Sequence, residues 1–152
     1  MLEVGAGGSP RARRFAPTQP ARDGGERAYH RSVSVAVSLE ELARRVEDFG
    51  PVAFLVTTDG ATSHVVSVAV GFDGAELSAP VGRSSQRNIE ATAIATLLWP
   101  GRDGGPYSLI VDGAARTDGD LARVRPTTAV LHRLADAPAD LPSCVRIEDQ
   151  AD

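Results

Sequence analysis

Between Leu77 and Asn88 the chain reads Leu-Ser-Ala-Pro-Val-Gly-Arg-Ser-Ser-Gln-Arg-Asn. The hydroxyls of Ser78, Ser84 and Ser85, the guanidinium groups of Arg83 and Arg87 and the amides of Gln86 and Asn88 crowd this one stretch. These side chains are rich in hydrogen-bond donors, and the chemistry they suit is oxyanion binding, above all of a phosphate. Arg supplies a planar fork that can grip two phosphate oxygens at once. Gly82 breaks a strand, Ser84 has the place of an N-cap, and residues 85–93 have the composition of a short helix. Free first-turn amides and the positive end of the helix dipole would then add to the donors. The plainer reading of the same residues is an N-capped helix with solvated arginines.

Other candidates for chemistry are fewer. The three histidines and the single cysteine, Cys144, make no metal-ligand spacing, and no metal is expected. Ser84, Ser85 and Ser108 lack a GxSxG setting, so no hydrolase triad is indicated. Neither GxGxxG nor GxxxxGK[ST] occurs, which leaves no dinucleotide fingerprint or P-loop. His64 and His132 read as surface or interface residues. Asp112-Gly113 reads as a structural turn, a paired Asp or a functional bulge. Trp99 reads as a core or interface anchor or as a ring-stacking residue. No residue identifies itself as a general acid or base, so the catalytic residues are unknown at this level.

Composition narrows the function class. The chain has 152 residues, of which 42 % are hydrophobic and only 5 % aromatic. That is enough for one domain, with a core built from aliphatic side chains. The net charge of −4 argues against a nucleic-acid binder. All basic residues are Arg, which marks a GC-rich coding sequence more than an anion-binding design, so only local Arg context counts. Residues 1–31 hold six Arg against Glu3, Asp23 and Glu26, and the remainder is acidic. No apolar run approaches the roughly 18 residues of a membrane span, and no membrane role is expected. Arg13-Arg14-Phe15 is followed by Ala-Pro-Thr-Gln-Pro rather than an apolar region, so no export signal is read. One cysteine rules out an internal disulfide framework and fits a cytoplasmic location.

The elements that would hold the anion corner follow in order. Residues 1–36 are rich in Gly, Pro and Arg and read as a flexible tail, too poor in large apolar groups to offset the entropy of ordering. Ser38-Leu-Glu-Glu41 is a capping box, opening an amphipathic helix that Gly50-Pro51 stops. Residues 51–58 and 64–72 read as strands joined by the hairpin signal Asp59-Gly60, and Asp73-Gly74 leads into a third strand over 75–80. After the short helix come strands over 95–99 and 107–116, with Gly113 at a bulge. A sixth strand begins at Leu121 or Val124 and runs to Leu134, with Pro126 at an irregular or edge position. Residues 136–152 carry Asp and Glu with two Pro and read as an acidic tail. The expected fold is mainly β: a six-stranded antiparallel split β-barrel of Greek-key type over residues 37–135, with one N-terminal helix and one short helix after the third strand.

In that order and spacing, Pro51-Val-Ala-Phe-Leu-Val-Thr-Thr-Asp-Gly60, Ser63-His-Val-Val-Ser-Val68, Leu77-Ser-Ala-Pro80 with Gly82-Arg83 and Arg87-Asn88-Ile89, and Leu109-Ile-Val-Asp-Gly-Ala114 resemble the pyridoxamine 5′-phosphate oxidase-like split-barrel family of flavin- and deazaflavin-binding proteins. The resemblance covers roughly residues 37–134. It implies FMN, or alternatively coenzyme F420, held at the third strand and following helix start, with the ring between two subunits of a homodimer. It places Ser78, Arg83, Ser84, Ser85, Gln86, Arg87 and Asn88 at the phosphate corner and Ser67 and Val68 near the ring. Ser85 stands where many relatives carry a second cation. The implied activity is hydride transfer to or from a small organic substrate. The alternative is a non-catalytic split barrel, a cofactor carrier or interaction domain without redox activity.

Overall fold

The computed structural model describes residues 37–102 and 105–149. The expected tail over 1–36 lies outside the described residues. The first element is α1 (Leu39–Phe49), capped by Ser38, whose hydroxyl accepts from the Glu41 amide. Glu41 does not complete the capping box. Its carboxylate is taken by Arg44 and Arg45, each at 2.7 Å. Leu42 and Val46, one turn apart, face the core. Gly50 ends the helix at φ +84°, and its carbonyl accepts from the indole of Trp99 at 2.9 Å. That bond ties the helix end to the fifth strand.

Eight strands follow: β1 (Val52–Thr58), β2 (Ser63–Ala69), β3 (Gly71–Phe72), β4 (Leu77–Pro80), β5 (Ile94–Trp99), β6 (Tyr107–Asp118), β7 (Leu121–Arg133) and β8 (Cys144–Arg146), with α2 (Arg83–Thr92) between β4 and β5. All pairings are antiparallel, in the order β2-β1-β5-β6-β7-β4-β3, and β8 adds to β7. The two ends of that path, β2 and β3, are one continuous stretch of chain. The sheet therefore curls back toward itself, as a split barrel requires.

This differs from six strands at two places, each with a cause. The segment read as one strand over 64–72 changes partner at Val70. Before it the chain pairs with β1, and after it with β4, while the Val70 amide turns to the Pro51 carbonyl at 2.7 Å. The second place is the stretch read as an acidic tail, of which residues 136–149 are described. Arg133 gathers the carbonyls of Ala139 and Leu141 at 2.6 and 2.8 Å, which folds the chain back. Cys144–Arg146 then pairs with β7, Ile147 is buried, and Glu148 bridges Val37.

Both Asp-Gly turns form as the sequence predicts. Asp59 accepts from the amides of Ala61 and Thr62, and Asp73 from those of Ala75 and Glu76, with Gly60 and Gly74 at φ +93°. Amides aimed at an ionised carboxylate stabilise the charged form. Asp59 is accordingly held below the usual carboxylate range, most strongly by the Thr62 amide and next by that of Ala61. Asp73 is held down first by the Glu76 amide, then by that of Ala75, with a smaller pull from Arg123. The inner face of the sheet packs Leu55, Leu97, Trp99, Leu109 and Val111 against Leu42, Leu77 and Ile89. No helix among the described residues is long and apolar enough to cross a membrane.

Candidate functional site

Two regions gather the polar groups that could meet a ligand. The first is the start of α2. The helix begins two residues earlier than Ser84 would set it: Gly82 is the N-cap, in extended conformation, and the first helical bond runs from the Gln86 amide to the Gly82 carbonyl. The reason lies on the buried side. Ser85 and Ile89, four residues apart, both face the core, and that phase fixes where the first turn must fall. The amides of Arg83, Ser84 and Ser85 precede the first helical bond, the first turn holds no acid, and Gly82 has no side chain to cap them. A helix start of this kind favours an anion.

The structure divides the predicted corner residues into two groups. Arg83 and Arg87 are exposed and Ser84 is half-buried. The ion pairs among the described residues engage Arg44, Arg45, Arg116, Arg123 and Arg146 and neither Arg83 nor Arg87. Among the described residues these two guanidinium groups are therefore free of ion pairs. Gln86 instead donates to the carbonyls of Val81 and Gly119, clamping α2 to the β6–β7 turn. Asn88 donates to Thr57 at 3.2 Å, fastening the helix to β1. Ser85 is 1 % exposed, and its Oγ has no hydrogen-bond partner among the described residues. Ser78 is half-buried on β4, opposite Gly71 on one side and Arg123 on the other.

Ser67 and Val68 are neighbours on β2 and so point to opposite faces. Val68 is a core residue, and Ser67 lies exposed on the outer face. A ring on that outer face meets Ser67 and not the Val68 side chain.

The second region is the outer face itself. Residues directly opposite on paired strands share a face, and the register gives two rows. One runs Ser67, Phe54, Leu98, Ile110, Val130; the other runs Val65, Val56, Thr96, Asp112, Thr128. The first is apolar from β1 to β7. The second turns polar at Thr96 and ends on a carboxylate held between two hydroxyls. Thr96 donates to one Asp112 oxygen, and Thr128 to the other at 3.1 Å. The expected bulge is here. The β6–β7 register slips between Asp112 and Gly113, so Thr127 is extra on β7, and its hydroxyl donates to the Asp112 carbonyl at 3.1 Å. A side chain at Gly113 would meet the Arg125 carbonyl and Val124 at 2.5 Å, so the strands close only over glycine. Beside Asp112 a cleft of about 360 Å³ is lined by Val56, Thr57, Thr58, Ser63, Ile94, Ala95, Thr96, Gly113, Ala114 and Thr127. The sequence marked Asp112-Gly113 and the bulge. The threonines come from β5 and β7 and become a set only through strand pairing.

His64 sits opposite Thr57, and His132 pairs with Ser108 and Cys144 at the far end of the sheet. Among the described residues no three His, Cys, Asp or Glu side chains converge as metal ligands. Trp99 is fully buried and anchors the core.

No family model matches the chain. It is 38 % identical, over 128 aligned positions spanning 72 % of this chain and 88 % of theirs, to an uncharacterized protein of Mycobacterium bovis and to one of Mycobacterium tuberculosis. In structure it is similar to a Listeria innocua protein assigned provisionally as a pyridoxamine 5′-phosphate oxidase. That match has a TM-score of 0.51 at 15 % identity and covers 62 % of this chain and 98 % of that one. A second solved structure matches with the same TM-score at 19 % identity, over 73 % of this chain and 95 % of its own. The likeness establishes the fold of pyridoxamine 5′-phosphate oxidase-like proteins.

Proposed function

The chain belongs to one sequence family with the two mycobacterial proteins, and from that footing and its fold we propose that it is a homodimeric oxidoreductase binding FMN or, alternatively, coenzyme F420. The observation that carries the reading is the start of α2. Three uncommitted amides, Arg83 and Ser84 stand at a helix N-terminus without an acid in its first turn, and Arg87 follows one turn on from Arg83. Arg83 and Arg87 would hold the cofactor phosphate and Ser84 would donate to it. Bound there, a flavin or deazaflavin supplies hydride transfer with a small organic substrate. The chain's own part is to fix the phosphate, exclude water and present the outer face of the sheet to the ring, with Ser67 beside it. A second copy would cover the exposed Val52, Phe54, Val65 and Ile94.

One observation favours a non-catalytic split barrel instead. Ser85, Gln86 and Asn88 are turned to structural work or buried, which leaves the phosphate two cations and the hydroxyls of Ser78 and Ser84. The test is direct. The purified protein, titrated with FMN and separately with F420, should bind one of them, and Arg83→Ala should weaken that binding about tenfold or more, the worth of one charge-assisted hydrogen bond. A protein that binds neither loses the oxidoreductase reading and leaves the interaction domain. Unchanged affinity in the variant removes Arg83 from the site.

A further inference from the structure

We propose that the cleft beside Asp112 is a ligand subsite that recognises a cationic or strongly donating nitrogen, such as an amine, amidine or protonated ring nitrogen, with the Asp112 carboxylate as its acceptor. The proposal deepens the oxidoreductase reading by naming a substrate class, and rests on that reading only in calling the ligand a substrate.

Four features of the cleft carry it. Asp112 is the only charged side chain at the cleft among the described residues, and the walls beside it combine Val56, Ile94, Ala95 and Ala114 with neutral threonine and serine residues. A single charge at an otherwise uncharged wall sets the sign of what binds. The carboxylate is also pre-oriented, since Thr96 and Thr128 each donate to one of its oxygens. An ionised carboxylate has about four acceptor positions, so two remain open to a ligand. Asp112 is exposed, with no arginine, lysine or histidine paired to it among the described residues. Finally, the backbone is fixed at this point by the bulge: Thr127 holds the Asp112 carbonyl, and Gly113 brings β6 against β7. Bulges commonly re-aim a side chain in this way. A cleft of about 360 Å³ has room for a single small ring with a polar head.

The corner at α2 and this cleft would thus attract opposite charges, anion at one and cation at the other. A molecule bearing a carboxylate where the proposed amine should lie would be rejected by Asp112.

The probes are benzamidine, neutral benzamide and anionic benzoate, which share a ring and differ in head-group charge. Each is titrated into the full chain while backbone amide chemical shifts are followed. Benzamidine should move the amides of Thr96, Asp112, Gly113 and Thr127 and bind at least about tenfold more tightly than benzamide or benzoate. In Asp112→Asn that preference should vanish while the three probes converge. Equal affinities for the three probes in the wild-type chain overturn the proposal without reference to any variant. So does a wild-type chain that benzamidine does not perturb while Asp112→Asn loses its dimer mass, which would give the carboxylate to a contact with the partner subunit. FMN and F420 titrations on the same sample keep the two readings apart. A chain that takes benzamidine at Asp112 and binds neither cofactor retains the subsite and loses the redox role.

Discussion

Two rows of side chains cross the same five strands one residue apart. The inner row is Val66, Leu55, Leu97, Val111 and Ala129; the outer row is Ser67, Phe54, Leu98, Ile110 and Val130. They are almost equally apolar. Leu55, Leu97 and Val111 are fully buried, whereas Phe54 is 40 % exposed. A sheet with one solvated face alternates apolar and polar along each strand. Val52–Leu55 in β1 and Leu97–Trp99 in β5 do not alternate in this way. The helices and the hairpins cover only one side of the sheet. The exposed outer row is where the proposed second copy would lie, and substitutions on each face and at the turns sharpen the contrast.

The largest effect belongs to the inner face. Trp99 fills the core and donates its indole N–H to Gly50, joining β5 to the end of α1. Trp99→Ala leaves a cavity and an unpaired carbonyl, and should cost about 3–5 kcal/mol in denaturant unfolding of the chain. A loss below about 1 kcal/mol would mean that the core is not organised around this residue.

On the outer face the same kind of damage should read out differently. Phe54→Asp puts a charge in the middle of the apolar row. Because Phe54 is already part-exposed, the stability of a single protomer should change by about 1 kcal/mol or less. The mass in solution of the proposed dimer should instead fall to that of the monomer, since an unpaired charge buried between subunits is strongly unfavourable. A variant that keeps the dimer mass places the second copy elsewhere.

The contrast also explains what could be read in advance. Strand spans were legible where turn chemistry is local: Asp59-Gly60 and Asp73-Gly74 fix their hairpins with bonds no longer than three residues. The helix after Pro80 was legible as an element, but its first residue was not. Its phase is set by Ser85 and Ile89 meeting a core that the local sequence does not display. The switch of partner at Val70 goes with its amide turning to the Pro51 carbonyl and with β4 pairing onward to β7, and the return of Cys144–Arg146 is a pairing across the chain reversal that Arg133 holds, so none of these is displayed by the local sequence. Charge and proline made residues 136–149 look like a tail, yet Arg133 and the burial of Ile147 hold them. At the site, residue type found the donors around α2 but could not tell Arg83, which is uncommitted, from Gln86 and Asn88, which are bonded inward. The same limit hid Thr96, Thr127 and Thr128, whose roles come from register and a bulge.

The smallest effect expected is one of pH, and it belongs to the turns that join β1 to β2 and β3 to β4. Asp59 and Asp73 are held below their ordinary range mainly by the amides of Thr62 and Glu76, two bonds that exist only when the hairpins are folded. A carboxylate whose folded pKa is depressed adds stability above its unfolded pKa, about 3.9, and that contribution is lost as pH falls through the folded value. The chain should thus lose stability on acidification below about pH 4, and Asp59→Asn with Asp73→Asn should flatten that limb while leaving unfolding at neutral pH little changed in shape. An asparagine oxygen still accepts from the turn amides, so the hairpins persist and only the proton dependence goes. An unaltered acid limb in the double variant would show that it does not originate in these two turns. Because each turn is exposed and held by bonds within its own four residues, its share of the acid limb should be the same for Phe54→Asp as for the unmodified chain. That independence would show that the hairpins are stabilised within each protomer, whatever covers the outer face.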